Sequence, residues 1–431
     1  MRRPRRAAPW GAVLIAACCA TCGDDEGAPA RPDADTDSRA MDADEPVDAG
    51  APDAEEPLDS GAPDARRPDA GRPPVPPIDW SEIVAFHEAM RGYASAFAVE
   101  GGHWAEELGD AAFYGPAFYV RTGNAEGDTE ALSLAAAARD YDLGLVTQAT
   151  ADLDFYTANM EEVFMAALGV LEHADELGDG VGLPEIDALL ERTNDFLGLF
   201  RDYLNPDGEL GAFALDTYGP TTITAAVALV NLQRARLAEG AARDAMIGRT
   251  REIVAAIDRN AWLEEPGYYR FAPDEDRVDL YPNVMMTLVL GRMHELTGEE
   301  QWLARAERMF DAIQPLRQPA GNYYSEYSAA AMGATTTDYS TLSSQNYLSL
   351  SLLILFERTR DPRYLLELKS VLDFIRTHLL DEAQGRLLHH WIDGRIALPE
   401  DLEYFCAGCN LQLLYVGWYL RARVLPTLES P

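Results

Sequence analysis

Asp276-Arg-Val-Asp-Leu-Tyr-Pro-Asn-Val-Met-Met-Thr-Leu-Val-Leu-Gly-Arg-Met-His-Glu-Leu-Thr-Gly-Glu-Glu-Gln-Trp302 contains an acidic loop end, an apolar helix, a tight turn and the start of a second helix. Pro282 suits a first helical turn, where its missing N–H has no partner to lose. Gly298 suits a helix stop, because glycine takes the left-handed conformation without a Cβ penalty. Val284 to Leu296 is apolar on nearly every side, which predicts burial all round. Gln301 to Ile313 differs. Trp302, Leu303, Ala306, Met309, Phe310 and Ile313 alternate there with Arg305, Glu307, Arg308 and Asp311, as on a half-exposed helix. The unit is a buried helix, a short turn and an outer helix.

The unit recurs along the chain. Helices are expected over Trp80–Val99, Ala111–Arg121, Thr129–Val146, Phe155–Leu177, Pro184–Leu204, Thr221–Glu239, Ala241–Asn260, Ser344–Arg358, Pro362–Leu379 and Cys406–Val424, besides the opening pair. Buried ones begin near 111, 155, 221, 283, 344 and 406, the later ones about sixty residues apart. Such periodicity marks a repeat architecture. Strand signals are confined to stretches such as Gly267–Ala272 and Gly385–Trp391. Buried helices pass to outer ones through a few residues, as at Thr297-Gly298 and Thr359-Arg-Asp-Pro362. The return runs through long segments: Asn205–Pro220, Ala261–Pro282, Gln314–Ser343 and Leu380–Phe405. Long connections are usually functional or disordered, and four on the same side imply one decorated face and one plain face.

Six inner and six outer helices joined by Thr-Gly-type turns resemble an (α/α)6 toroid of the six-hairpin glycosidase-like superfamily, over about Trp80 to Val424. Leu-Tyr-Pro-Asn-Val284 followed by Thr-Gly-Glu-Glu-Gln-Trp302 is similar to the hairpin pattern of these families. The resemblance implies an all-α fold that binds carbohydrate in the mouth formed by the long loops. Its enzymes include glycoside hydrolases, unsaturated-uronide hydrolases and N-acylglucosamine 2-epimerases.

Of 431 residues, 47% are hydrophobic and 25% charged, with a net charge of −37. That balance repels nucleic acid and anionic membrane surfaces. No run of about 18 apolar residues occurs, so no transmembrane helix is expected. Arg2, Arg3, Arg5 and Arg6 precede the short apolar Trp10–Ala20, as in a secretion signal. Ile15-Ala-Ala-Cys18 resembles a bacterial lipobox, with Cys18 the lipidated residue and residues 1–22 the signal. Residues 23–77 are Asp, Ala, Pro and Gly with few large apolar side chains, and cannot offset their ordering entropy. They are read as a tether with a span on the order of 40 Å or more. Residues 78–431 form the toroid domain. The expectation is a monomer, lipid-anchored in the bacterial cell envelope, with a carbohydrate ligand, no nucleic acid and no cofactor.

An acid followed closely by tyrosine recurs before the buried helices: Asp154-Phe-Tyr156, Asp216-Thr-Tyr218, Asp279-Leu-Tyr281, Asp338-Tyr339 and Glu403-Tyr404. Each acid is a natural N-cap. Together they also describe a mouth ringed by carboxylates and aromatic faces. Glycoside hydrolysis uses two carboxylates, and tyrosine rings offer apolar faces and an O–H to sugars. Asp279 and Asp338, on neighbouring hairpins, are the preferred catalytic pair. Asp216 follows, and Glu326 in Tyr323-Tyr-Ser-Glu-Tyr327 is a further candidate. Tyr218, Tyr281, Tyr339, Tyr404, Trp391 and Glu403 are the expected substrate contacts. A non-catalytic glycan-binding protein is the alternative. His103 with His390 is the proton-transfer pair if the reaction is a sugar epimerisation, since histidine titrates near neutral pH. His173 and His294 are read as packed or surface residues. Cys406-Ala-Gly-Cys409 allows a disulfide, a redox pair, or a zinc site with His389 and His390; its spacing to the histidines is not a zinc signature, and no metal is expected. Asp274-Glu-Asp276 reads as a solvated turn.

Overall fold

The computed structural model describes residues 76–94, 109–152, 155–156, 159–195, 220–271, 275–330, 339–392, 395–396 and 406–429. Among them are twelve principal helices. The outer set is α1 (Ser81–Ala94), α3 (Thr129–Ala151), α5 (Leu183–Asp195), α7 (Gly240–Ala261), α9 (Glu300–Ile313) and α11 (Pro362–Phe374). The inner set is α2 (Gly109–Glu126), α4 (Met160–Leu177), α6 (Pro220–Arg236), α8 (Leu280–Thr297), α10 (Leu342–Thr359) and α12 (Ala407–Tyr419). Each inner helix packs on the next, and α12 packs back on α2, so the inner ring is closed. No helix among the described residues is long and apolar enough to cross a membrane.

The inner helices are buried because their sequences give them no polar face. In α8 every residue from Pro282 to Gly291 is buried, and in α10 every one from Ser344 to Phe356. By contrast α9 buries only Leu303, Ala306, Met309, Phe310 and Ile313, one stripe at helical spacing. Gly291 marks a close approach: a Cβ there would lie 2.6 Å from Cγ2 of Ile354 on α10. Gly298 ends α8 in the left-handed conformation, at φ 71°. Arg360 does the same for α10 without a glycine, at φ 57°.

Two expected boundaries are corrected. Thr122-Gly123 does not stop α2, which runs to Glu126; the Thr122 hydroxyl is satisfied within the helix by the Phe118 carbonyl at 2.8 Å. The helix expected from Phe155 begins instead at Met160.

Inner-to-outer turns are short, and outer-to-inner connections carry the strands, so the described connections emerge at the N-terminal ends of the inner helices. Before α8 lie β1 (Trp262–Leu263), β2 (Tyr268–Tyr269) and β3 (Arg277–Asp279). Before α10 lie β4 (Glu326–Ser328) and β5 (Tyr339–Thr341). Before α12 lie β6 (Leu380–Asp381), β7 (Arg386–Leu387), β8 (His390–Ile392) and β9 (Arg395–Ile396). Strand β3 pairs antiparallel with β4, and β5 with β8. Three successive connections are thus stitched together across the mouth.

One device fixes all three to the ring. The fourth residue of α8, α10 and α12 is an amide, and each clamps both backbone groups of one residue in its own connection. Asn283 accepts from the Tyr269 N–H at 2.7 Å and donates to its carbonyl at 2.9 Å. Gln345 does so with Tyr323 at 3.2 and 2.9 Å, and Asn410 with Leu387 at 3.0 and 3.4 Å. Orphaning a buried N–H and C=O costs roughly 1–3 kcal/mol each. Asn283→Ala should therefore destabilise the protein by about 2–4 kcal/mol, read as a shift in the urea midpoint. A loss below about 0.5 kcal/mol would remove the clamp from the account.

Candidate active site

The site is built on the first residues of the α8 connection. Asp279 is the N-cap residue of α8, yet its side chain makes no capping hydrogen bond. The first helical N–H, that of Leu280, goes instead to the Ser325 carbonyl at 2.9 Å, one of the orphan donors every helix start must satisfy. The carboxylate is left for Arg277, two residues back and so on the same face of β3. Arg277 donates Nε–H to Oδ1 at 2.6 Å and Nη2–H to Oδ2 at 2.7 Å.

The register of β3 against β4 sets Asp279 opposite Glu326. Nη2 of Arg277 also reaches Oε1 of Glu326 at 3.2 Å. One guanidinium nitrogen therefore holds both carboxylates, whose oxygens are no further apart than those two contacts laid end to end. The guanidinium sits 4.1 Å over the Phe271 ring. Glu326 in turn accepts the Tyr339 O–H at 3.0 Å, and the Tyr339 ring stands edge-on to His390 with centroids 5.7 Å apart.

Burial pushes the Asp279 carboxyl up to about 6, against the pull of Arg277 and with a smaller push from Glu326. Arg277 stays a cation: burial disfavours its charge, and its two carboxylate partners outweigh that. The Asp279 and Glu326 side chains are 13% and 18% exposed, enough for a ligand to reach them and little enough for a low local dielectric. His389 lies with its Nδ1 3.1 and 3.2 Å from the ring nitrogens of His390, and burial drives its pKa well below the ordinary value, so it is neutral.

Trp391 is not brought to this cluster. Strand alternation turns it to the opposite face from His390, against Phe374 and His378 at 5.4 and 5.6 Å. Tyr281 meets Tyr347 edge-on at 4.9 Å, at the top of the ring's interior. Tyr156 is buried against Thr193 and is a core residue. Asp276 belongs to a turn, accepting from the Ser328 hydroxyl at 2.6 Å and from the Ala330 N–H. Asp338, Asp216, Tyr218, Tyr404, Glu403, Asp154, His103 and Cys18 lie outside the described residues. Arg277 is the member sequence reasoning missed; its signal is the Arg-Val-Asp alternation, which places charge and counter-charge on one strand face.

Between the inner helices lies a cavity of about 60 Å³, lined by Tyr114, Glu172, Gln233, Arg292, Tyr347 and Tyr415 among others. It is large enough to hold waters. Below it, at the plain end, all six inner helices contribute to a charged floor. Arg121 of α2 donates to Glu172 and Glu176 of α4 at 2.8 Å each and approaches Asp175 at 3.2 Å. Arg236 of α6 also reaches Asp175, at 3.3 Å. Arg292 of α8 and Arg358 of α10 share Glu295, and Tyr419 of α12 donates to Glu357.

A closed ring of six inner helices within six outer ones, with its connections gathered at one end, decides the architecture. The fold is the six-hairpin (α/α)6 toroid. Solved toroids superpose over most of the chain. A cellobiose 2-epimerase from Bacillus thermoamylovorans B4167 matches with a TM-score of 0.55 at 11% identity, covering 78% of this chain and 98% of its own. A family 88 glycosyl hydrolase from Bacteroides vulgatus matches at 0.54 and 13% identity, covering 79% and 98%. A family 76 α-mannanase from Bacteroides thetaiotaomicron matches at 0.56 and 11% identity, covering 78% and 96%. No protein-family model and no curated protein sequence matches the chain. At these identities the likeness is one of fold; what this toroid does must be read from its own mouth.

Proposed function

We propose that the protein is a carbohydrate-active enzyme, most concretely a glycoside hydrolase in which Asp279 and Glu326 are the working carboxylates. The observation that carries this reading is the pair of carboxylates held on one nitrogen of Arg277 at the mouth of the toroid. Their limited separation suits the roughly 5–5.5 Å of retaining enzymes better than the roughly 6.5–9.5 Å of inverting ones. Asp279, whose pKa lies near neutrality, is the acid. Glu326, oriented by the Tyr339 hydroxyl, is the nucleophile. Asp279 gives its proton to the leaving glycosidic oxygen while a Glu326 oxygen bonds to the anomeric carbon. Water, deprotonated by Asp279, then releases the sugar and restores both groups. The solved toroids named for mannanase, hydrolase and epimerase activities support a sugar as the substrate class. The charge, basic head and lipobox-like Cys18 support an exported monomer, lipid-anchored in the cell envelope.

The test is turnover of polysaccharides and aryl glycosides by the full chain, with the anomeric configuration of the first product followed by NMR. Cleavage with retention is expected. Inversion would remove Glu326 as nucleophile, and glycan binding without turnover would establish the non-catalytic reading. The neighbouring His390 and neutral His389 support epimerisation as a second reading, and interconversion of free sugars without bond cleavage would select it.

A further inference from the structure

Cys406 and Cys409 are joined by a disulfide across the first turn of α12, with Cα atoms 5.3 Å apart. This bond spans three positions and ties α12 only to itself. Among the described residues, one side chain from the preceding connection reaches it: a His389 ring nitrogen and the two sulfurs all lie within 4.8 Å of one another. His389 is held there from two directions. Asn410 on α12 clamps Leu387, two residues earlier. The His389 carbonyl accepts the first N–H of α10, that of Leu342, at 2.8 Å. The cysteines are 4% and 1% exposed.

We propose that, with the disulfide open, Cys406, Cys409 and His389 bind one zinc-class divalent ion. Two thiolates at C-x-x-C spacing and an imidazole are a zinc donor set. The helix start favours the thiolate form, and the Cys409 N–H already points at the Cys406 sulfur, 3.1 Å away. Tetrahedral zinc, with bonds of about 2.0–2.3 Å, sets ligand atoms roughly 3.5–3.8 Å apart. The sulfurs must separate to that distance and the imidazole close in by about 1 Å, both within the reach of side-chain rotation. A dithiol reductant supplies two electrons and two protons to the disulfide and leaves as its own disulfide. The ion then displaces the two thiol protons, and its charge is balanced by two thiolates and a neutral imidazole. Three protein ligands leave the fourth position to water. His390 lies against the His389 ring, 3.1 and 3.2 Å from its Nδ1.

The consequence is mechanical. The disulfide fastens nothing outside α12, whereas the ion fastens α12 to the strand that carries His390 and thereby to Tyr339 and Glu326. The metal form adds a second tie there to the one Asn410 already makes with Leu387.

The experiment uses the full chain, reduced with a phosphine and stripped with a chelator, then titrated with cobalt(II) or zinc. One equivalent of cobalt with thiolate charge-transfer absorption and tetrahedral d–d bands is expected, with neither in the oxidised protein. His389→Ala should weaken binding at least about ten-fold, and the Cys406→Ser, Cys409→Ser double variant should lose the charge-transfer band. Absence of that band in reduced wild-type protein overturns the proposal whatever the variants do, as does an unchanged cobalt affinity in His389→Ala. Neither result bears on Asp279 and Glu326.

Discussion

Asp279→Asn should lower kcat by about 10²–10⁴-fold, the usual contribution of a positioned acid, while leaving substrate binding nearly intact. The variant keeps the shape and one acceptor for Arg277, but loses the second acceptor, the charge and the transferable proton. Glu326→Gln should fail at the other step, with a loss at least as large, because no glycosyl ester can form. With the wild type, kcat/KM should fall as pH rises through about 6, where Asp279 gives up its proton. That limb should vanish from the residual activity of Asp279→Asn. A variant with activity within about three-fold of wild type would remove the residue from the chemistry.

Asp279 also carries a stability signature of defined sign. Its folded pKa of about 6 lies above the ordinary 3.8. The folded state is therefore fully supported below pH 3.8 and loses that support as pH rises through about 6. Asp279→Asn should lose this part of the pH dependence and melt higher, relative to wild type, at pH 8 than at pH 4.

Arg121→Met should be the most destabilising single change at the plain end of the toroid, by about 3–5 kcal/mol. The Arg121 and Glu172 side chains are 9% and 4% exposed. Burial alone would raise the Glu172 carboxyl, but Arg121, with Arg236 and Arg292 behind it, draws it below the ordinary range. Removing Arg121 leaves Glu172, Asp175 and Glu176 facing the same space without their main counter-charge, and strips the face of Trp418, over which the guanidinium lies at 4.9 Å. Stability from a depressed carboxyl is present above its ordinary pKa and lost as pH falls, so the wild type should lose this contribution in acid and the variant should show less of that loss. A second change, Glu172→Leu, should return much of the deficit, because an apolar pair replaces a buried ion pair at little cost. Additive losses in the two single variants and the double would show that no such pairing exists. Urea unfolding of the four proteins decides it.

The sequence by itself determined the ring. An all-round apolar helix such as Val284 to Leu296 has one solution in water, burial among its like, and the striped Gln301–Ile313 can only lie outside it. Gly298 and the brevity of the Thr-Gly turns determined that hairpins close at one end, leaving the long connections to the other. These are short-range facts, set within a few turns of helix. Asp279, Asp338 and, as a further candidate, Glu326 could each be named from the sequence, but not which of them stand together. Asp338, the expected neighbour, lies outside the described residues, whereas Glu326 faces Asp279 because β3 and β4 pair in one register. A shift of one residue would have turned Glu326 to the other face. No local pattern encodes that register, which pairs segments from two different connections. The charged floor arises in the same way, from which inner helices stand side by side. Only the tertiary structure decided these, because helix character is written in a local period, whereas contacts between connections depend on how the closed ring brings distant segments together.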